Sequence, residues 1–265
     1  MARPAKAGYK TRMNTTPDPG SDPSIAPSIA LAEAAFFGKL AADWWNPRGS
    51  SAMLHRITPV RSAFIRDCAV RHFGVDARSR RPLAGLTALD IGCGAGLQAE
   101  PLARMGATLT AIDAAPENIA VAREHAAAQG LAIDYRCQSA EALAGEGAQF
   151  RLITVLEVME HVADRDSFLA AIARLLAPGG LLVMSTPNRT PASWAVLIAG
   201  AEMITRSIPR GAHDWQQFMR PEELSEALAG AGFTPLETRG LSWSPGQGFH
   251  LGPDTSLDYF LTATR

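Results

Sequence analysis

The stretch LDIGCGAG, Leu89 to Gly96, runs from buried-strand residues straight into three glycines spaced two apart. A strand that gives way to such a loop and then to a helix lets backbone approach a ligand where any Cβ would clash. Alone, the pattern is weak. It gains specificity from TLTAID, a second apolar run ending in Asp113, 21 positions after Gly92. At that distance a carboxylate closes the neighbouring strand and can accept hydrogen bonds from both hydroxyls of a ribose. A dinucleotide site reads GxGxxG, its last glycine packing helix on sheet; here Leu97 stands in that place and Gly96 comes early. The spacing therefore favours S-adenosylmethionine over a nicotinamide dinucleotide.

Downstream, ITVLEVMEHV, Ile153 to Val162, begins as an apolar run covered on both faces and stops at Glu157, Glu160 and His161. Those residues fall past the carboxyl end of the run, the edge at which open α/β sheets bind ligands. Between and beyond these stretches, strand and helix signals alternate. Strands are predicted at 87–91, 108–112, 133–137, 152–156 and 180–185, with helices up to 104 and over 116–128 and 165–176. The tail reads as a helix over 221–231, a strand near 234–240, a loop rich in Gly and Pro, and a last strand over 256–264. This rhythm predicts an α/β fold, a Rossmann-like, doubly wound sheet preceded by N-terminal helices.

Ahead of the sheet, Ser28 can cap a helix carrying Ile29, Ala32, Phe36, Phe37 and Leu40, and Thr58-Pro59 reads as the start of a second helix that stops at Gly74. The expected organisation is a disordered segment over 1–27, then one domain over 28–265, with a helical lid over 28–84 and an apolar insert over 188–220. Pro4, Pro17, Pro19, Pro23 and Pro27 crowd that first segment. It has no apolar h-region, which argues against a secretory signal and leaves a mitochondrial presequence open.

The 265 residues carry a formal net charge of −1, so no basic field points to nucleic acid. Cys68, Cys93 and Cys137 are odd in number and lack CxxC spacing, which argues for a reducing cytoplasm and against a disulfide framework. Cys93, between two glycines, reads as a small packing residue.

Taken together, DIGCGAG, AID, QSAEAL, VLEVMEHV and LLAPGGLLVMSTPN resemble the class I S-adenosylmethionine-dependent methyltransferases over residues 86–188. That resemblance implies seven strands, six parallel and the last antiparallel. It also implies that Gly92, Gly94 and Gly96 skirt the cofactor's methionine part, Asp113 holds the ribose, Ala140 and Glu141 border adenine, and Leu156 lines the pocket. The flanks DWWNPRGSSAMLHRITPVRSAFI, STPNRTPASWAVLIAGAEMITRSIPRGAHDWQQFMRPEEL and GLSWSPGQGFHLGPDTSLDYFLTATR look like the family of ubiquinone-biosynthesis O-methyltransferases. Membership implies methyl transfer to a polyprenyl catechol, a cytoplasmic protein peripherally bound to the inner membrane, and other enzymes of that pathway as partners. Arg61 can pair with the carboxylate of the cofactor's methionine part, and the family places its cofactor-binding arginine there.

The chemistry needs an oxyanion, because a neutral phenol is a poor nucleophile. If a turn of helix follows Leu156, then Glu157, Glu160 and His161 stand at i, i+3 and i+4 on one face. They can hold a magnesium-type divalent cation that chelates a catechol, and the family resemblance points the same way. Two other readings stay open: His161 as a general base without metal, and purely structural roles. His213 and Asp214 can orient the second hydroxyl or simply shape a loop.

Over residues 189–210, Trp194, Leu197, Ile198, Ala201, Ile204 and Ile208 recur at helical spacing between terminal arginines. Too short to span a bilayer, such a helix can lie in its surface, although an ordinary core helix shows the same pattern.

Overall fold

In the computed structural model, which describes Gly38, residues 41–196 and residues 214–265, the glycine loop springs from the centre of one eight-stranded sheet. Its strands are β1 (Thr87–Ile91), β2 (Thr108–Asp113), β3 (Asp134–Cys137), β4 (Phe150–Leu156), β5 (Leu176–Pro187), β6 (Thr234–Ser244), β7 (Gly248–Gly252) and β8 (Asp258–Thr264). They lie in the order 3-2-1-4-5-8-6-7. β1 pairs in parallel with β2 on one side and β4 on the other, so the strand order reverses there and opens a crevice at the carboxyl edge.

The helices are α1 (Ala52–Phe73), α2 (Ala99–Arg104), α3 (Pro116–Ala128), α4 (Ala140–Gly145), α5 (Arg165–Leu175) and α6 (Pro221–Gly230). They cover both faces, and each face builds its own core. Leu89, Ile91, Ile153 and Val155 face Phe168, Ile172 and Leu228, while Ala88, Leu109, Leu152 and Val183 face Ile65, Leu102, Ile119 and Phe260. Alternate residues of one strand thus enter opposite cores, which is why the central strands read as unbroken apolar runs.

Three expectations change. The helix assigned to Thr58-Pro59 begins at Ala52 instead, with Pro59 inside α1. The proline removes one N–H from the ladder, and Thr58 Oγ1 supplies a bond of its own to the Leu54 carbonyl at 2.7 Å. The Gly- and Pro-rich stretch near the C-terminus contains a strand: β6 runs on to Ser244 and turns into β7, so there are eight strands and not seven. β8 is antiparallel to both β5 and β6, leaving six strands in parallel as expected. Third, the short helix α4 appears between β3 and β4, started by Ser139, whose Oγ accepts from Ala142 N at 3.2 Å. The N-terminal segment 1–27 and the helix expected from Ser28 lie outside the described residues, Gly38 excepted.

One core residue is charged chemistry in an apolar place. Asp90, in the middle of the sheet, is 2% exposed, and its Oδ1 accepts from Thr154 Oγ1 at 2.6 Å. Burial pushes its pKa up to about 7, against the opposing pull of the Thr154 hydrogen bond. An acid whose folded pKa lies above its unfolded value holds a proton that the unfolded chain releases. Stability is therefore greatest at low pH with respect to this group and falls as pH rises from about 4 to about 7. Asp90→Asn keeps the shape of the protonated acid and removes the titration. Chemical denaturation at pH 4.5 and pH 8 should show the unmodified protein losing about 1–3 kcal/mol more than the variant between those values.

Candidate active site

Gly92, Gly94 and Gly96 all have positive φ (71°, 52° and 93°), the left-handed region that side chains rarely adopt. Ile112 supports the loop, its carbonyl accepting from Gly92 N at 2.9 Å and Cys93 N at 3.0 Å. Asp113 does more. Its Oδ2 accepts from Gly94 N at 2.9 Å, and its Oδ1 accepts from Ala115 N at 2.9 Å and Asn118 Nδ2 at 3.2 Å. One carboxylate thus ties the glycine loop to the start of α3. Burial raises the Asp113 pKa and those three hydrogen bonds oppose the shift. Cys93 is buried with its thiol pushed up by burial, in keeping with a packing role.

Past β3, the first turn of α4 carries Glu141. It is buried, and neither carboxylate oxygen has a hydrogen-bond partner. Ala140 beside it is buried as well. A desolvated carboxylate without donors is costly unless a ligand supplies them.

At the end of β4, Leu156 is buried and Glu157 is the non-glycine residue with positive φ (56°) among the described residues. Its conformation turns the chain out of the sheet, while Glu157 N still donates to the Ser185 carbonyl at 2.9 Å. The side chain is gripped twice: Ser185 Oγ donates to Oε1 at 2.6 Å, and Arg61 Nη2 forms an ion pair with the same oxygen at 2.7 Å. Arg61 comes from α1 and is buried. Asp258, at the start of β8, joins this group. Burial first and the neighbouring Glu157 carboxylate second hold its carboxyl well above the usual range, with Arg61 pulling the other way.

A 3-10 turn, Met159–His161, follows, and Glu160 turns inward, its Oε2 accepting from Thr186 Oγ1 at 2.9 Å. The expectation that Glu157, Glu160 and His161 share one helical face is therefore corrected. Glu157 sits in a left-handed bend before the turn, so the i, i+3, i+4 geometry never forms. Among the described residues no three His, Cys, Asp or Glu side chains are placed to hold one metal ion. As they stand, Glu157 is committed to Arg61 and Ser185 and Glu160 to Thr186, which does not fit a cation shared by the three.

His213 lies outside the described residues. Asp214 is exposed, and its carboxylate caps the 3-10 turn Trp215–Gln217 by accepting from Gln216 N at 3.0 Å. That is a structural use of the residue. Asp258 carries no local signal in TSLDYF; only the pairing of Pro187 with Asp258 across β5 and β8 brings it to the edge where β4 also ends.

A family model described as "Methyltransferase domain" matches residues 89–184. The ubiquinone biosynthesis O-methyltransferase of Azorhizobium caulinodans is 48% identical over 235 residues, 88% of this chain and 93% of that protein. The chain belongs to the ubiquinone biosynthesis O-methyltransferase family. The protein of the same name from Methylobacterium sp. (strain 4-46) is 46% identical over 240 residues, covering 90% and 96% of the two chains. Among solved structures, magnesium protoporphyrin IX methyltransferase from Synechocystis with bound S-adenosylhomocysteine shares the fold, with a TM-score of 0.59 at 18% identity over 88% of this chain and 95% of that one. Membership in the family accounts for the cofactor, S-adenosylmethionine; the glycine loop, Asp113 and the partnerless Glu141 follow β1, β2 and β3 at the carboxyl edge of the sheet.

Removing the Asp113 carboxylate takes away the acceptor that fixes Gly94 N, Ala115 N and Asn118 Nδ2, and with it the set of the glycine loop. Asp113→Ala should weaken S-adenosylhomocysteine binding by about tenfold or more, measured by titration calorimetry on protein whose melting temperature has been checked.

Proposed function

We propose that this methyltransferase transfers the methyl group of S-adenosylmethionine to a hydroxyl of polyprenyl catechol and demethylubiquinol intermediates in ubiquinone biosynthesis. The observation that carries the reading is the extent of the likeness: relatives of that name match over 88% and 90% of this chain and 93% and 96% of their own length, so the likeness takes in more than the core matched by the domain model. In this reading Gly92, Gly94 and Gly96 lie along the methionine part, Asp113 accepts from the ribose, and Glu141 with Ala140 borders adenine, the free carboxylate accepting from an N–H of the ligand. Leu156 closes the pocket. Arg61 is a cofactor-facing cation that Glu157 holds in place.

Transfer is an in-line displacement in which the sulfonium carbon passes to an oxygen nucleophile and the thioether leaves. A phenol titrates near pH 10, so about one molecule in a thousand is ionised at neutral pH. The enzyme must take the proton. We assign this step to His161, half-buried on the turn after β4, as general base, with Glu157 and Glu160 shaping the pocket that receives the ring. The second reading, a magnesium-type cation on Glu157, Glu160 and His161, is supported by the clustering of those residue types within five positions. It requires both carboxylates to leave their present partners, and no step is derived through it.

With a short-chain prenylated catechol, the protein should yield the O-methylated product after dialysis against chelator, and His161→Ala should lower kcat by about 100-fold or more. Loss of activity on chelation, restored by magnesium, would favour the cation reading instead.

Among the described residues no helix is long and apolar enough to cross a membrane. Where the 189–210 segment begins, Trp194 and Val196 are about half exposed, at 49% and 48%. Residues 197–210 lie outside the described residues; on its sequence pattern we read the 189–210 segment as one that holds the enzyme at the inner membrane, so that an isoprenoid tail stays in lipid while the ring enters the site. There it would also meet the enzymes that supply and consume its substrate. Leu197→Glu combined with Ile198→Glu should abolish co-flotation with anionic liposomes and leave S-adenosylhomocysteine affinity unchanged.

A further inference from the structure

The strap that precedes α1 is built to hold an indole against the glycine loop. Asp43 fixes its turn by accepting from Ser50 N at 2.6 Å and Asn46 Nδ2 at 2.9 Å. Trp45 rivets it to the core: its Nε1 donates to the Ala95 carbonyl at 3.0 Å, and its ring stacks on His125 at 3.4 Å and an interplanar angle of 8°. His125 is fixed in turn, its Nδ1 lying 2.5 Å from Oε1 of the buried Glu100. His55, on the first turn of α1, donates from Nε2 to the Trp44 carbonyl at 2.8 Å.

Held from both sides, Trp44 lays the six-membered edge of its ring on Gly94. A methyl group built on that glycine would lie 2.0 Å from Cζ3 and 2.1 Å from Cη2. Gly94 is thus required twice over, by its φ and by the indole. The ring's own polar atom is unaccounted for. Trp44 Nε1 is buried and has no hydrogen-bond partner, whereas Trp45 Nε1 next door is satisfied. A buried indole N–H left unpaired has lost its water without gaining an acceptor, a cost that is retained where a ligand completes the bond.

We propose that Trp44 is a cofactor-binding residue whose indole walls the site opposite Gly94 and whose Nε1–H donates to an oxygen of S-adenosylmethionine. The inference rests on the reading that the cofactor lies along the Gly92–Gly96 loop. It adds a donor from outside the sheet, and it explains why two adjacent tryptophans serve different ends: Trp45 anchors, Trp44 binds.

The test is the affinity of S-adenosylhomocysteine for three variants, by calorimetry and by the change in intrinsic tryptophan fluorescence on binding. Trp44→Phe keeps a ring on Gly94 and loses the donor; its affinity should fall about 5- to 20-fold, with the binding-dependent fluorescence change reduced and the melting temperature little altered. Trp44→Ala should fall further. If Trp44→Phe binds as tightly as the unmodified protein, or more tightly, the proposal is wrong. Asp113→Ala separates the two levels: if it too binds normally, the placement of the cofactor fails, whereas weak binding by Asp113→Ala beside normal binding by Trp44→Phe overturns the role of Trp44 alone. Should Trp44→Ala unfold, Trp44→Phe still decides.

Discussion

The carboxylate of Asp113 is the tie on which the site depends. The loop between β1 and α2 contains three residues in left-handed conformation, and such a loop has many shapes of similar energy. Accepting from Gly94 N selects one of them. Because the same carboxylate also accepts from Ala115 N and Asn118 Nδ2, loop, strand end and following helix move as a unit. The arrangement is preorganised: burial disfavours the charge on Asp113, and a ligand offering hydroxyl donors would relieve that cost where water is excluded.

On the other side of the crevice the governing constraint is charge. Arg61 is buried, and a buried guanidinium needs a carboxylate close by. Glu157 supplies it from a backbone conformation that costs about 1–3 kcal/mol outside glycine. The strain is sustained because β4 and β5 fix the backbone, Ser185 O accepting from Glu157 N while Ser185 Oγ holds the side chain. Asp258 crowds the same group with a second acid, whose pKa burial first and the Glu157 carboxylate second raise.

Much of this is legible in the order of the residues. Apolar runs with β-branched residues locate the central strands β1, β4 and β5, since a strand buried on both faces has no polar face to disguise it. Asp113 is legible because the fold fixes its distance from Gly92. The residues around Glu157 are legible as a cluster but not as a geometry: nothing in LEVMEH announces that a glutamate will take a left-handed bend, because the cause is tertiary, in Arg61 and Ser185. Pro59 misleads for a related reason, since a proline eight positions into a helix resembles one at its start when the preceding turn is SSAML. β7 is hidden by Gly246, Gly248 and Gly252, whose flexibility reads as loop until β6 offers an edge to pair with. Asp258 and the partnerless indole of Trp44 depend on strand pairing and on packing across 50 residues, which no local window contains.

The division of labour across the crevice follows from strand order. β1 and β2 carry the loop and Asp113 on one side; β4, β5 and β8 carry Leu156, the acids and His161 on the other. Two elements cross between them. One is α1, packed in the core of Ile65, Leu102 and Ile119, which brings Arg61 to the acids at the end of β4. The other is the strap ahead of it, pinned by Trp45 and His55, which sets Trp44 on the loop. Because both belong to the N-terminal segment, that segment is the remaining wall of the site and more than a lid over a finished pocket. One indole and one guanidinium on a continuous stretch of chain thus reach the glycine loop and the acids after β4.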